Sequence, residues 1–320
     1  MTTLNSLPST VSAKPYLNVR KLPNPRDEDD RPVQSLPFVL RNRRNCCWLD
    51  ALAYLFHTLW ANHCLNLNTR GSQHYATMLN LAKQLSESAT QSSVNALRDA
   101  THDMIAPGTA GEVQDPSEQL TVLMNKFRLS PDIDLHLAVA FKQVLTCMAC
   151  NQETFTYETA RYLSGPELSP PDGISHFEAA VRCVTKRLRC HNCNSCDTVS
   201  YRRDYGLRKA LVVVGANAKF TAEVFLGQYP EIARVGAQDV KLQYLVLTIR
   251  GHSIGVARGQ LPREWVVYDD LRDHSVVDSL EGAMDLVQRR YSGNEADQPN
   301  LNATPIVQVL AYKVSNDENE

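Results

Sequence analysis

The hydrophobic period of this chain changes near residue 135, and the change limits the folds open to it. Ahead of that point apolar residues recur at helical spacing. Residues 50–60 (DALAYLFHTLW) are apolar on nearly every side, which predicts a helix buried all round. Around residues 74–85, Tyr75, Met78, Leu79, Ala82 and Leu85 fall on one face of a second helix. A third has Asp115 as its N-cap, Pro116 at the first helical position, and Leu120, Leu123, Met124 and Phe127 as its stripe. Beyond the change, short β-branched or alternating runs stand at 135–141, 154–159, 210–214, 243–249, 254–258, 264–269 and 305–314, with one more helix expected at about 278–290. Helices first and strands afterwards is an α+β arrangement. It predicts a helical lobe packed on a largely antiparallel sheet, with a site in the cleft between them.

Composition narrows the function classes. A net charge of -2, with acids and bases interspersed, offers no basic stripe for nucleic acid. No apolar run approaches the roughly 20 residues of a membrane helix, and the N-terminus lacks the apolar core of a signal peptide, so the expectation is a cytoplasmic or nuclear protein without a membrane partner. Residues 1–35, with PNPRDEDDRPVQS among them, predict a flexible lead-in. A single globular unit is expected over 36–314, with an acidic tail at 315–320. Nine cysteines, six of them crowded between Cys147 and Cys196, suit metal or catalytic thiols in a reducing compartment better than a disulfide framework.

Four groups of residues could carry chemistry. Cys47 lies at the mouth of the buried helix, where the positive end of the helix dipole favours thiolate; the plainer alternative is a small buried apolar residue, and Cys46 is the rival nucleophile. His252 ends one strand and Asp269 and Asp270 end a later one, an arrangement that can unite a proton-relaying imidazole with an orienting carboxylate, or can simply be two turns. Gln114, Asp115 and Glu118 form a third group, which is also an ordinary helix start. Finally, Cys147-Met-Ala-Cys150 and Cys190-His-Asn-Cys193 supply four thiolates suited to a closed, structural tetrahedral zinc site, with Cys196 or Cys183 as substitutes in the second knuckle.

These groups together resemble the ubiquitin-specific proteases, the ubiquitin carboxyl-terminal hydrolases of peptidase family C19. The run from Asn42 through Cys46 and Cys47 to Trp48-Leu-Asp50 is similar to the family's cysteine box, and its Cys-Trp-Leu-Asp wording is closer still to the ubiquitin-specific-peptidase-like SUMO isopeptidase. Gly251-His252 with Trp265-Val-Val-Tyr268-Asp269-Asp270 resembles the histidine box, Gln114-Asp115-Pro-Ser-Glu118 a further box, and Val307 to Tyr312 the closing strand. The resemblance implies a papain-like fold with helical thumb, antiparallel-sheet palm and zinc-bearing fingers at about 141–210. It implies a Cys47, His252, Asp269 triad, Asn42 as oxyanion donor, Asp270 as neighbouring acid, and Gln114, Asp115 and Glu118 beside the substrate tail. The implied activity is thiol-dependent release of ubiquitin or SUMO from conjugates. Where the family carries Gly this chain has Arg44, and Ser253 and Ile254 replace aromatics, so a silent scaffold that only binds ubiquitin is a second possibility.

Overall fold

A computed structural model describes residues 37–41, 45–65, 72–88, 90–109, 111–127, 136–166, 173–182, 185–186, 189–219, 222–261, 263–291 and 305–315. The expected lead-in, Asn42, Arg44, Cys183 and the last five residues lie outside these. In chain order the elements are α1 (Cys47–Ala61), α2 (Gln73–Glu87), α3 (Gln91–Ile105), α4 (Pro116–Lys126), β1 (Val139–Cys147), β2 (Glu153–Ala160), β3 (Leu163–Ser164), α5 (His176–Arg182), β4 (Thr185–Lys186), β5 (Thr198–Leu207), β6 (Ala210–Lys219), α6 (Ala222–Gln228), β7 (Ile232–Val235), β8 (Gln238–Ile249), β9 (His252–Arg258), β10 (Trp265–Tyr268), β11 (Ser275–Val277), α7 (Leu280–Tyr291) and β12 (Ile306–Val314).

Four helices precede the first strand, as the change of period predicts. Every residue of α1 from Cys47 to Leu59 is buried, so this helix is the axis of the helical layer. Asp115 caps α4 through its Oδ1, which accepts from the N–H groups of Ser117 (2.7 Å) and Glu118 (3.1 Å), and Pro116 follows at the first helical position. Helix α3 escapes the apolar-period reading because its buried stripe is Val94, Arg98, Thr101, His102 and Ile105, three of them strongly polar.

The strands form two sheets. In the larger, the order is β11-β10-β9-β8-β12-β6-β3 with β7 added beside β8, antiparallel throughout except for the short β3–β6 pair. It is buried on both faces. Val212, Val214, Val246, Ala257, Val266 and Ala311 join the core beneath α1 to α4, whereas Leu211, Val213, Leu245, Leu247, Val256 and Val267 point the other way, into a second core with α5, α6 and α7. Two buried faces explain why residues 243–249 read as a nearly continuous apolar run, each large side chain contributing about 1.5–3 kcal/mol of burial. The smaller sheet, β2-β1-β5-β4, extends with β2 exposed along almost its whole length. Strand β5 carries Tyr201, Arg202, Arg203 and Asp204 on a half-exposed surface, which is why no apolar pattern announces it. The first run, expected at 135–141, becomes β1 starting at Val139.

One close approach docks α1 on the large sheet. The Tyr244 hydroxyl lies where a Cβ on Gly255 would stand and donates to the Ala51 carbonyl at 2.7 Å, so β9 needs a glycine at that position for the helix to sit down.

Candidate active site

Cys46 closes the loop into α1, its carbonyl accepting from the N–H groups of Leu49 (2.9 Å) and Asp50 (3.1 Å), and Cys47 is the first helical residue. Asn45 before it has φ 55, a left-handed conformation that asparagine tolerates, and its side-chain amide donates to the Gly111 carbonyl at 2.9 Å. The thiol of Cys47 thus sits at a helix N-terminus facing the sheet, with the Gly251 carbonyl 3.9 Å from Sγ.

His252 is delivered by a two-residue hairpin. Arg250 (φ 51) and Gly251 (φ 77) both take positive φ, as a type I′ turn requires, and Ile249 pairs with His252 across it. The ring Nε2 lies 3.0 Å from Asp269 Oδ1. That leaves Nδ1 for the thiol, which lies near enough for the His252 ring to favour its charged form. Asp269, at the end of β10, is completely buried. Besides His252 it accepts from the Tyr291 hydroxyl (2.9 Å to each oxygen) and the Leu271 N–H (3.2 Å), with Arg290 Nη1 at 3.5 Å. The expected triad residues, separated in sequence, therefore converge.

The electrostatics follow from this packing. Burial raises the Cys47 thiol, but the hydrogen bonds from His252 and from the Ser253 backbone, with the His252 charge, bring it below the ordinary thiol value. Burial lowers His252, yet the Asp269 hydrogen bond first and the neighbouring Cys47 second lift it to about 10. Asp269 is pushed up by burial and pulled below its usual range by His252, Tyr291 and the Leu271 N–H. These shifts run in the direction that favours a thiolate beside an imidazolium, the pairing of a nucleophile activated by its base. Cys46 next to it is pushed up to about 11 by burial, which makes it a poor nucleophile.

Asp270 Oδ1 stands 3.3 Å from the same His252 Nε2. Asp50, one turn into α1, is gripped by Arg98 of α3 through Nε and Nη2, each at 2.8 Å, and Arg98 Nη2 also donates to the Arg41 carbonyl at 3.2 Å. On the other side, Tyr54 donates to the Phe38 carbonyl (2.9 Å), accepts from the Leu40 N–H (2.7 Å) and meets His274 Nε2 at 3.1 Å. Segment 37–41 is thereby tied to α1 and to the loop after Asp270. The acidic group of α4 lies near: Val113, just before Gln114, would touch a Cβ on Gly251 at 3.7 Å. Asp115 serves as helix cap, Glu118 is exposed, and Gln114 bonds Glu112 and Gln119 at 3.0 Å each. Tyr291, Arg290 and Arg98 gave no sequence signal, because each is a polar residue inside a helix whose partners lie far along the chain.

At the tip of the smaller sheet Cys147, Cys150, Cys190 and Cys193 bring their Sγ atoms within 4.8 Å of one another. The Cys147–Cys193 and Cys150–Cys190 separations are 3.5 and 3.8 Å. Four thiolates about 2.3 Å from one ion stand roughly 3.8 Å apart, so the donor set fits a tetrahedral metal. Each knuckle is followed by a left-handed asparagine, Asn151 or Asn194, and Asn192 donates to two of the sulfurs. Cys196 is exposed and outside the cluster.

No family model matches the chain, and no curated protein matches it by sequence. By fold it is similar to a chain of the SAGA DUB module Ubp8/Sgf11/Sus1/Sgf73 bound to monoubiquitin, with 13% identity, a TM-score of 0.56, and coverage of 88% of this chain and 69% of that one. The same module bound to ubiquitin aldehyde matches with 13% identity and a TM-score of 0.53 over 88% and 70%. A further form of the module gives 14% identity and 0.53 over 93% and 71%. At such identities the likeness is one of fold alone, a mixed helix and sheet architecture shared with those chains.

Proposed function

We propose that the chain is a thiol-dependent isopeptidase that releases ubiquitin or a ubiquitin-like protein from conjugates. The observation that supports it is the convergence of three residues: Cys47 at a helix N-terminus, its Sγ 3.9 Å from the Gly251 carbonyl, and the adjoining His252, whose Nε2 lies 3.0 Å from a fully buried Asp269. In this reading Cys47 Sγ attacks the carbonyl carbon of the terminal glycine, and the charge that develops on its oxygen is met by Asn42 and the helix N-terminus. His252 gives its proton to the departing lysine amine. A water, deprotonated by His252, then opens the thioester and frees the thiol. Asp269 keeps Nε2 protonated and Nδ1 turned to sulfur, and Asp270 adjoins the pair.

Helices α1 to α4 correspond to a thumb, the large sheet to a palm, and the smaller sheet to fingers whose Cys147, Cys150, Cys190 and Cys193 would hold a structural zinc. A metal there would supply a crosslink between two turns and no chemistry at the thiol; the ligand nearest a triad member, Cys193, is 59 residues from His252 in sequence. Gln114, Asp115 and Glu118, close to the Gly251 turn, would line the path of the substrate tail.

Ubiquitin is the favoured substrate on account of the Gln114-Asp115 group, while Cys47-Trp-Leu-Asp50 favours SUMO. Ubiquitin and SUMO probes carrying a C-terminal electrophile, applied at equal concentration, decide between them. Labelling must disappear in Cys47→Ala and persist in Cys46→Ala. A chain that binds ubiquitin yet reacts with neither probe and cleaves no conjugate is instead a silent scaffold.

A further inference from the structure

Asp270 is a buried acid that lacks a donor among the described residues. Its side chain is 2% exposed, and no N–H or O–H group of those residues hydrogen-bonds either oxygen. Although Oδ1 is 3.3 Å from His252 Nε2, that nitrogen is already directed at Asp269. An ionised carboxylate left so costs several kcal/mol, and the usual escape is to take up a proton. The acidic neighbour whose charge bears most on Asp270 is the carboxyl of Asp50, across from it on α1. Two carboxyls in contact make a hydrogen bond only when one is protonated.

The surrounding charges decide which one. Asp50 faces Asp270 from α1, with the Arg98 guanidinium and Asp99 behind it on α3; His252 faces it from β9, Cys47 from the start of α1, and the Tyr54 hydroxyl lies near. Both Asp50 oxygens accept from Arg98, so the guanidinium holds that carboxyl ionised. Burial, then the Asp50 charge, push Asp270 up to about 9; burial leaves Asp50 raised too, against the opposing pull of the Arg98 hydrogen bonds and charge that Asp270 lacks.

We propose that Asp50 and Asp270 share one proton, kept on Asp270 by the Arg98 guanidinium behind Asp50, so that Asp270 stands beside His252 as a neutral donor and Asp269 alone balances the imidazolium. Arg98 and Asp50 are then positioning residues. They act through Asp270 and spare the Cys47 thiolate a second anion at close range. The proton follows from burial and contact and holds even in a silent scaffold; its benefit to the thiol rests on the peptidase reading.

Infrared spectroscopy of the full chain at neutral pH tests the proton directly. A protonated-carboxyl stretch is expected in the wild type, absent from Asp270→Asn, and absent from Asp50→Asn, where the new amide can donate and Asp270 ionises. Iodoacetamide alkylation of Cys47 reads the consequence without any substrate. Asp50→Asn, which leaves Asp270 ionised beside His252, moves the alkylation limb to higher pH, and the double variant Asp50→Asn, Asp270→Asn, with no carboxyl left there to ionise, moves it back toward wild type. Because the folded acid is raised from 3.8 to about 9, the urea midpoint of Asp270→Asn should also gain on that of wild type as pH rises across that window. The proposal is overturned if the wild type shows no protonated-carboxyl band, if the band survives in Asp270→Asn or Asp50→Asn, or if the double variant leaves the alkylation limb where Asp50→Asn put it. Failure of both ubiquitin-like probes with the band intact would sink the peptidase reading and leave this one standing.

Discussion

Replacing Asp269 by Asn changes one charge and almost no volume, and its consequences can be worked from the contacts. The carboxylate accepts from His252, Tyr291 and the Leu271 N–H. An amide in its place removes the charge that stabilises the imidazolium in either orientation: with its N–H toward Tyr291, whose oxygen can accept, the ring keeps its tautomer, and with its N–H toward Nε2 that nitrogen must accept and the ring carries hydrogen on Nδ1, facing the thiol with a donor where a base is needed. Lifting His252 from 6.5 to about 10 corresponds to about 5 kcal/mol at roughly 1.4 kcal/mol per tenfold change in proton affinity. Asp269 is the foremost of the groups that raise it, and we assign it roughly half of that. A loss of about 2.5 kcal/mol lowers the ion-pair population, and with it neutral-pH alkylation of Cys47 by iodoacetamide, by roughly fifty- to a hundredfold. Urea unfolding supplies an independent sign. A histidine raised in the folded state contributes stability fully below its unfolded value and loses it on the way up to the folded one, while Asp269, lowered from 3.8, contributes above that value. The stability gap between wild type and Asp269→Asn is therefore widest from about pH 4 to 6.5 and closes toward pH 10. A gap that widens in alkali, or an unchanged alkylation profile, would refute the assignment of Asp269 as the partner of His252.

Other perturbations bear on separate parts of the structure. Tyr291→Phe deletes a hydroxyl that serves both Asp269 oxygens and should cost about 1.5 kcal/mol, seen as a roughly tenfold slower alkylation of Cys47; wild-type reactivity would mean that the contact is idle. Gly255→Ala thrusts a methyl into the fully buried Tyr244 hydroxyl and should lose about 1–3 kcal/mol in urea melts, with Tyr244→Phe, Gly255→Ala partly restored. Metal analysis of purified protein should find one zinc per chain, retained by Cys196→Ser and lost from Cys190→Ser together with thermal stability; zinc bound equally by both variants would disprove the four-cysteine site.

The residues that the sequence makes legible are those whose chemistry is local. Cys47 at the mouth of an all-apolar helix, a histidine after a tight turn, and two cysteine knuckles each announce themselves within a few positions. So do the large-sheet strands, since a strand buried on both faces is apolar without a break. What stays hidden is what the fold assembles from polar residues in unremarkable places. Arg98 occupies the core stripe of α3 where an apolar side chain would have marked the helix, and the same residue fixes Asp50 and the Arg41 carbonyl. Tyr291 ends α7 as one more aromatic residue, and only the turn of that helix against β10 and β11 brings its hydroxyl to Asp269. The role proposed for Asn42 falls in a stretch outside the described residues, so its place in the site is a matter for the probe experiments.

The hairpin that carries His252 has a consequence for synthesis. Ribosomes deliver Cys47 more than two hundred residues ahead of its base, and the strand that presents the imidazole gains its register only when β8 has been made to pair with it. Until then the thiol has no proton acceptor at hand and behaves as a plain, protonated cysteine. A nascent chain of this protein is thus chemically quiet, and reactivity is switched on by completion of the sheet.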